Sequence, residues 1–305
     1  MIFVVSFFSD DYIFTVLFFA NLFAIGAASW DILAGYAGQL SFGNVVFYGI
    51  GGYSIGLLSA YFSGKQSSLL GGGSSAYSFL ANPIISICVG IGISMGLAVL
   101  IGFAAIRLRG PYLAIVTFML GIILQELIVI YGKYTGGEFG VSIPDAFANA
   151  RFSFYVSLIA MAVSVLALIL ITGSRYGLYF KAIKDDEVQA QATGINPTKY
   201  KLMAFAVSAA FTSLAGSIYV LSYGIVNYDV FSYTTSLQWI EMSVIGGPGT
   251  IVGSVIGSYF IQILVELLRI SQTYSLIIFA VVFIIVIRFF PQGLLGFIKR
   301  VLRWK

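Results

Sequence analysis

Residues 83–106 contain no charged side chain, and residues 112–131 contain a single one, Glu126. Only a short basic turn, with Arg107 and Arg109, separates these two apolar runs. A helix that crosses a bilayer needs roughly 20 consecutive apolar residues, so each run predicts one spanning helix. The same pattern recurs at 12–30, 45–61, 152–172, 202–222 and 274–290. One more apolar segment, 236–268, is too long for a single helix and is interrupted by Gly246-Gly247-Pro248-Gly249. It reads as a half-helix, a turn, and a longer helix from about Ile251. The expected fold is therefore all-α: a polytopic membrane bundle of about eight transmembrane helices with Gly-broken or re-entrant segments.

Composition supports a single transmembrane domain over 1–305. Charged residues make up 9% of the chain and hydrophobic residues 59%, whereas soluble domains carry about 25% charged residues. The one cysteine, Cys88, excludes an internal disulfide. There is no histidine, which removes the commonest proton shuttle and metal ligand. No metal site is expected, and no nucleotide-binding G-x-x-x-x-G-K-[ST] motif or nucleophile–histidine pair is present. The chain is not expected to be an enzyme, to hold a cofactor or to bind nucleic acid; its solvent is the lipid bilayer. The N-terminus has no basic n-region, so the first apolar run is expected to stay as a helix.

The longest polar interruption in the second half of the chain is 174–201, SRYGLYFKAIKDDEVQAQATGINPTKYK. Asp185 or Asp186 is placed to cap a short helix with Glu187 in its first turn. Gly194 is placed to stop it, and Pro197, with Asn196 as cap, to start the next helix at about Thr198. A small rigid helix on an aqueous face is a docking knob for a soluble partner, against the plainer alternative of a solvated loop. If 174–201 faces the cytoplasm, twelve of the sixteen basic residues fall on that side, and Lys65, Lys133, Arg151 and Arg269 fall outside. That satisfies the positive-inside rule and turns the N-terminus outward.

Two segments break the apolar pattern with glycine. In 35–56, Gly38, Gln39, Ser41, Phe42, Gly43 and Asn44 are candidates for a translocation path, while Gly51, Gly52 and Gly56 suit close helix packing. In 243–260, Gly246, Gly247 and Gly249 form a turn that is a second path candidate, with Gly253 and Gly257 as a packing stripe. Acids within spans are functional candidates. Glu126 and Glu266 are placed near the surface, and Glu241, in the half-helix, is the better path candidate.

GYAGQLSFGNVVFYGIGGYSIGLL, RLRGPYLAIVTFMLG, YTGGEFGV, KAIKDDEVQAQATGINPTKYKLMAFAVSAAFTSLAG and VIGGPGTIVGSVIG resemble, in this order, the LivM-type permeases of branched-chain amino acid ABC importers. The resemblance covers most of 35–296. It implies a multi-pass permease of the plasma (inner) membrane that pairs with a LivH-like permease chain. It further implies two LivF/LivG-like ATPase subunits, which would bind ATP and Mg, and an external solute-binding protein. Asp185, Asp186, Glu187, Ala190, Gly194 and Pro197 then fall in the segment that docks on the ATPase. Asn44 departs from the family pattern, where a histidine is frequent, so no histidine-dependent role carries over. The implied function is inward movement of branched-chain or related hydrophobic amino acids by alternating access. Alternatives are a urea or amide permease of the same family, or a stand-alone secondary transporter using Glu126, Glu241 or Glu266.

Overall fold

The computed structural model describes residues 10–62, 82–105, 111–143, 147, 149–268, 284, 288 and 293–296. The expected span at 274–290, the basic turn at 107–109, the loop at 63–77 and the basic tail after 296 lie outside the described residues, apart from 284 and 288.

Helix α1 (Asp10–Asp31) ends in a π-helical turn, Ile32–Tyr36, and an irregular stretch then leads to α2 (Asn44–Phe62). Helices α3 (Pro83–Ala105) and α4 (Pro111–Ile130) follow, with one further turn of helix, α5 (Gly132–Thr135). Helix α6 (Ala150–Gly173) leads into α7 (Arg175–Asp185) and α8 (Glu187–Ala192), and α9 (Pro197–Tyr223) is the longest of the bundle. A 3₁₀ turn, Tyr228–Phe231, precedes α10 (Tyr233–Gly246) and α11 (Ile251–Leu268), which meet at a bend of 113°. Strands β1 (Val141–Ser142) and β2 (Ile225–Val226) pair antiparallel, Val141 with Val226.

The bundle is layered by apolarity. Helices α3, α4 and α6 lie at its edge, with 22%, 22% and 17% of their most apolar stretches buried. Their exposed side chains, among them Ile84, Leu100, Ile123, Ile159 and Leu170, face where lipid must be. Helices α1 and α9, at 61% and 67%, form the centre. Helix α2 matches the expected span at 45–61. Glycines, serines and tyrosines dilute its apolar residues, and it meets protein rather than lipid along much of its length.

Small residues let α2 and α9 approach until their backbones touch. A Cβ at Gly51 would lie 2.1 Å from the Ser213 carbonyl, and one at Gly216 would lie 2.0 Å from that of Tyr48. Ser217 Oγ donates to the Gly51 carbonyl at 3.0 Å, and Asn44 Nδ2 donates to Ser208 Oγ at 2.9 Å. Close packing and buried side-chain bonds replace the hydrophobic drive that is missing inside a membrane. The packing expected of Gly51, Gly253 and Gly257 is what the structure has: a Cβ at Gly257 would lie 1.9 Å from the Met242 carbonyl on α10.

Candidate functional site

The segment 174–201 folds as two helices rather than one. Ser174 caps α7 by accepting from the Tyr176 N–H at 3.2 Å, and Phe180 and Ile183 anchor its inner face. Asp186, of the two aspartates, is the cap of α8: its Oδ1 accepts from the Val188 and Gln189 N–H groups at 2.8 and 3.0 Å. Gly194, at φ +89°, turns the chain so that the Ile195 N–H reaches the Ala190 carbonyl at 3.1 Å. Asn196 then caps α9 by accepting from the Lys199 N–H at 3.1 Å, with Pro197 at its start. Lys201, 5% exposed, pairs with Glu187 at 2.7 Å and ties α8 to α9. Ala190 and Pro197 face inward. The outward face carries Asp185, Asp186, Glu187 and Val188, the last 72% exposed.

One long side chain joins this knob to the bundle. Lys184 Nζ donates to the Gly35 carbonyl at 2.6 Å, and its stem lies 3.1 Å from where a Cβ of Gly38 would be. Gly38 itself, at φ +67°, bends the chain out of the π-helical turn. Gly35 in turn touches the bend between α10 and α11, where its carbonyl is 3.3 Å from a Cβ position on Gly249.

At the centre of this contact is Asp31, fully buried at the end of α1. Its Oδ1 accepts from the Gly249 N–H at 2.8 Å and from Ser243 Oγ at 3.0 Å, while its Oδ2 has no partner. Ser254 Oγ donates on to Ser243 Oγ at 3.2 Å, and Thr250 Oγ1 closes the bend on the Gly247 carbonyl at 2.6 Å. One carboxylate thus holds both sides of a bend whose backbone donors would otherwise go unpaired at membrane depth. Neither Asp31 nor Lys184 was singled out by sequence pattern. A signal existed: Asp31 is the single charged residue between Asp11 and Lys65, and an acid inside a span is a functional candidate.

The path candidates separate into two groups. Gly38 lies against Lys184, the Gly249 N–H donates to Asp31 in the bend that Gly246 and Gly247 share, and Gln39 is half-buried. Ser41, Phe42, Gly43 and Asn44 instead form the packed entry to α2. The Trp30 indole donates to the Ser41 carbonyl at 2.6 Å, the Phe42 N–H donates to Thr117 Oγ1 at 3.0 Å, and the Gly43 N–H donates to Ser41 Oγ at 3.2 Å. The Val45 N–H donates to Ser236 Oγ at 3.1 Å. Glu241 stands half-buried on α10, and Glu266 accepts a hydrogen bond from Tyr12 at the opposite end of the bundle. Glu126 is exposed on α4. A cavity of about 130 Å³ lies between α1, α2, α9 and α10, and none of the path candidates lines it. Among the described residues no group of three acidic, cysteine or histidine side chains is placed to hold a metal.

Apolar edge helices, a polar-stitched centre and a bent helix pair held by a buried acid mark a multi-pass membrane protein. The chain matches the family described as branched-chain amino acid transport system / permease component over residues 12–287, and it belongs to that family. It is 27% identical to the high-affinity branched-chain amino acid transport system permease protein LivM of Salmonella typhimurium, covering 90% of this chain and 68% of the relative. It is 24% identical to the probable LivM permease of Methanocaldococcus jannaschii, covering 94% of each. It is also 24% identical to the LivH permease of Escherichia coli, covering 90% of this chain and 92% of the relative. No solved structure matches the chain.

Proposed function

We propose that this chain is the membrane-spanning subunit of an ABC importer that carries aliphatic, branched-chain amino acids inward. Separate ATPase subunits bind ATP with Mg and hydrolyse the ATP, and this chain holds no cofactor of its own. Its partners are a LivH-like permease chain, two LivF/LivG-like ATPases and an external binding protein, in the plasma (inner) membrane with the N-terminus outward. The observation that carries the reading is the knob: a doubly capped α8 whose outward face combines three acids with Val188, which is 72% exposed. An apolar side chain ringed by charge is the composition of a docking surface rather than of a solvated turn. Closure of the ATPases would push on α7 and α8, and Lys184 would pass that push to the Gly35–Gly249 contact.

The test is co-purification with the neighbouring ATPase and permease chains, beside Val188→Asp. That variant alters the outward face and spares the Glu187–Lys201 pair, which Glu187→Lys would break. Loss of the ATPases from Val188→Asp, with the permease pair intact, is the expected result. Full ATPase retention and unchanged uptake would overturn the docking role, and leucine uptake by the chain alone would favour the secondary-transporter alternative.

A further inference from the structure

The cavity between α1, α2, α9 and α10 lies toward the end of the bundle remote from α8, beside the 3₁₀ turn that follows α9. At about 130 Å³ it approaches the roughly 150 Å³ engineered cavity that takes up benzene, so a four-carbon side chain fits. Its walls include Phe19, Tyr48, Tyr219 and Trp239, with Tyr48 in edge contact with Trp239 at 5.5 Å between ring centres. Its polar groups are few and of opposite kinds. Asp229, exposed at the rim, accepts only; Thr235 offers a hydroxyl. The Trp239 indole nitrogen is sealed away from the cavity against Gly26 of α1, 2.5 Å from where a Cβ of that glycine would be. No basic residue lines the cavity, so an anion without a compensating cation is repelled by Asp229.

We propose that this cavity is a binding site for a zwitterionic aliphatic amino acid. Its side chain lies among Phe19, Tyr48, Tyr219 and the Trp239 ring, its ammonium on Asp229, and its carboxylate on the Thr235 hydroxyl. The site rests on the reading of the chain as an amino-acid permease and adds where, on the remote side of the bend, the solute first stops. An acid facing aromatic rings favours an ammonium over a neutral amide such as urea, by charge and by contact with the ring faces.

The experiment is a fluorescence titration of the full chain in nanodiscs, taking as signal the part lost in Trp239→Phe. L-leucine and isovalerate, which keeps the apolar body and carboxylate but lacks the ammonium, are the probes. Leucine is expected to saturate the signal at a concentration at least about tenfold below isovalerate, a difference of about 1.4 kcal/mol. Asp229→Asn, an exposed substitution, is expected to erase that ratio by weakening leucine and relieving the repulsion of isovalerate, and Thr235→Val to weaken both probes. A non-saturating leucine response, or an unchanged ratio in Asp229→Asn, would overturn the site. Uptake by the assembled importer is measured in parallel. Leucine uptake without saturable binding overturns the cavity alone, whereas ATP-driven uptake of urea in place of leucine overturns the amino-acid reading itself.

Discussion

Asp31→Ala removes the acceptor of two donors at once, the Gly249 N–H and the Ser243 hydroxyl. Each buried donor left unpaired costs about 1–3 kcal/mol. The variant should therefore lower the thermal midpoint in detergent and abolish uptake, while Asp31→Asn, which keeps one oxygen as acceptor, should recover most of the stability. Uptake relative to ATP hydrolysis is the sharper reading. If the carboxylate only holds the bend, Asp31→Asn restores both in proportion; a drop in uptake per ATP with normal stability assigns its charge to coupling. Lys184→Met is the companion variant. It loses the 2.6 Å bond to the Gly35 carbonyl but keeps an apolar stem against Gly38. ATPase activity is expected to persist with uptake reduced several-fold, and unchanged uptake would remove Lys184 from the transmission of force.

At the scale of an element, α8 has six residues, too few to hold a helix without its ends. Asp186→Ala removes the cap from the Val188 and Gln189 N–H groups, at a cost of about 1 kcal/mol. Faster hydrogen exchange at those two amides, with α9 unchanged, is the expected result. Most of this element was legible beforehand, because caps and stops act within a few residues: Asp186, Gly194, Asn196 and Pro197 fall where turn chemistry puts them. The spans that fall on described residues were legible for a similar reason, since length and apolarity are local properties. Pattern alone did not reach the contacts between residues far apart in sequence. Nothing local to Asp31 indicates Gly249, 218 residues away, and nothing local to Lys184 indicates Gly35. The cavity was missed on the same ground, since Phe19, Tyr48, Tyr219 and Trp239 read individually as ordinary span residues. At 41–44 the glycine break leaves no open backbone: neighbouring side chains satisfy the Phe42, Gly43 and Val45 N–H groups.

Across the whole molecule, stability rests on how closely the central helices meet. Gly216→Leu would drive a side chain into the Tyr48 carbonyl, whose oxygen lies 2.0 Å from the Cβ position. Overpacking of this kind costs about 1–3 kcal/mol or more. Folded protein recovered from membranes should fall sharply, while Gly92→Leu, with nothing within 4 Å of its Cβ position, should express normally. The grading of apolarity from edge to centre also has a consequence for how the chain is made. Helix α2 is threaded with glycines and serines, with Gly51 packed against α9, and α9 begins only at Pro197, long after α2 has left the ribosome. During that interval its glycine and serine face has no mate, and the insertion machinery or α1 and α3 must shelter it. Biogenesis of this permease is thus set by a waiting time written into the order of its helices, and nascent chains halted before α9 should leave α2 open to extraction from the bilayer.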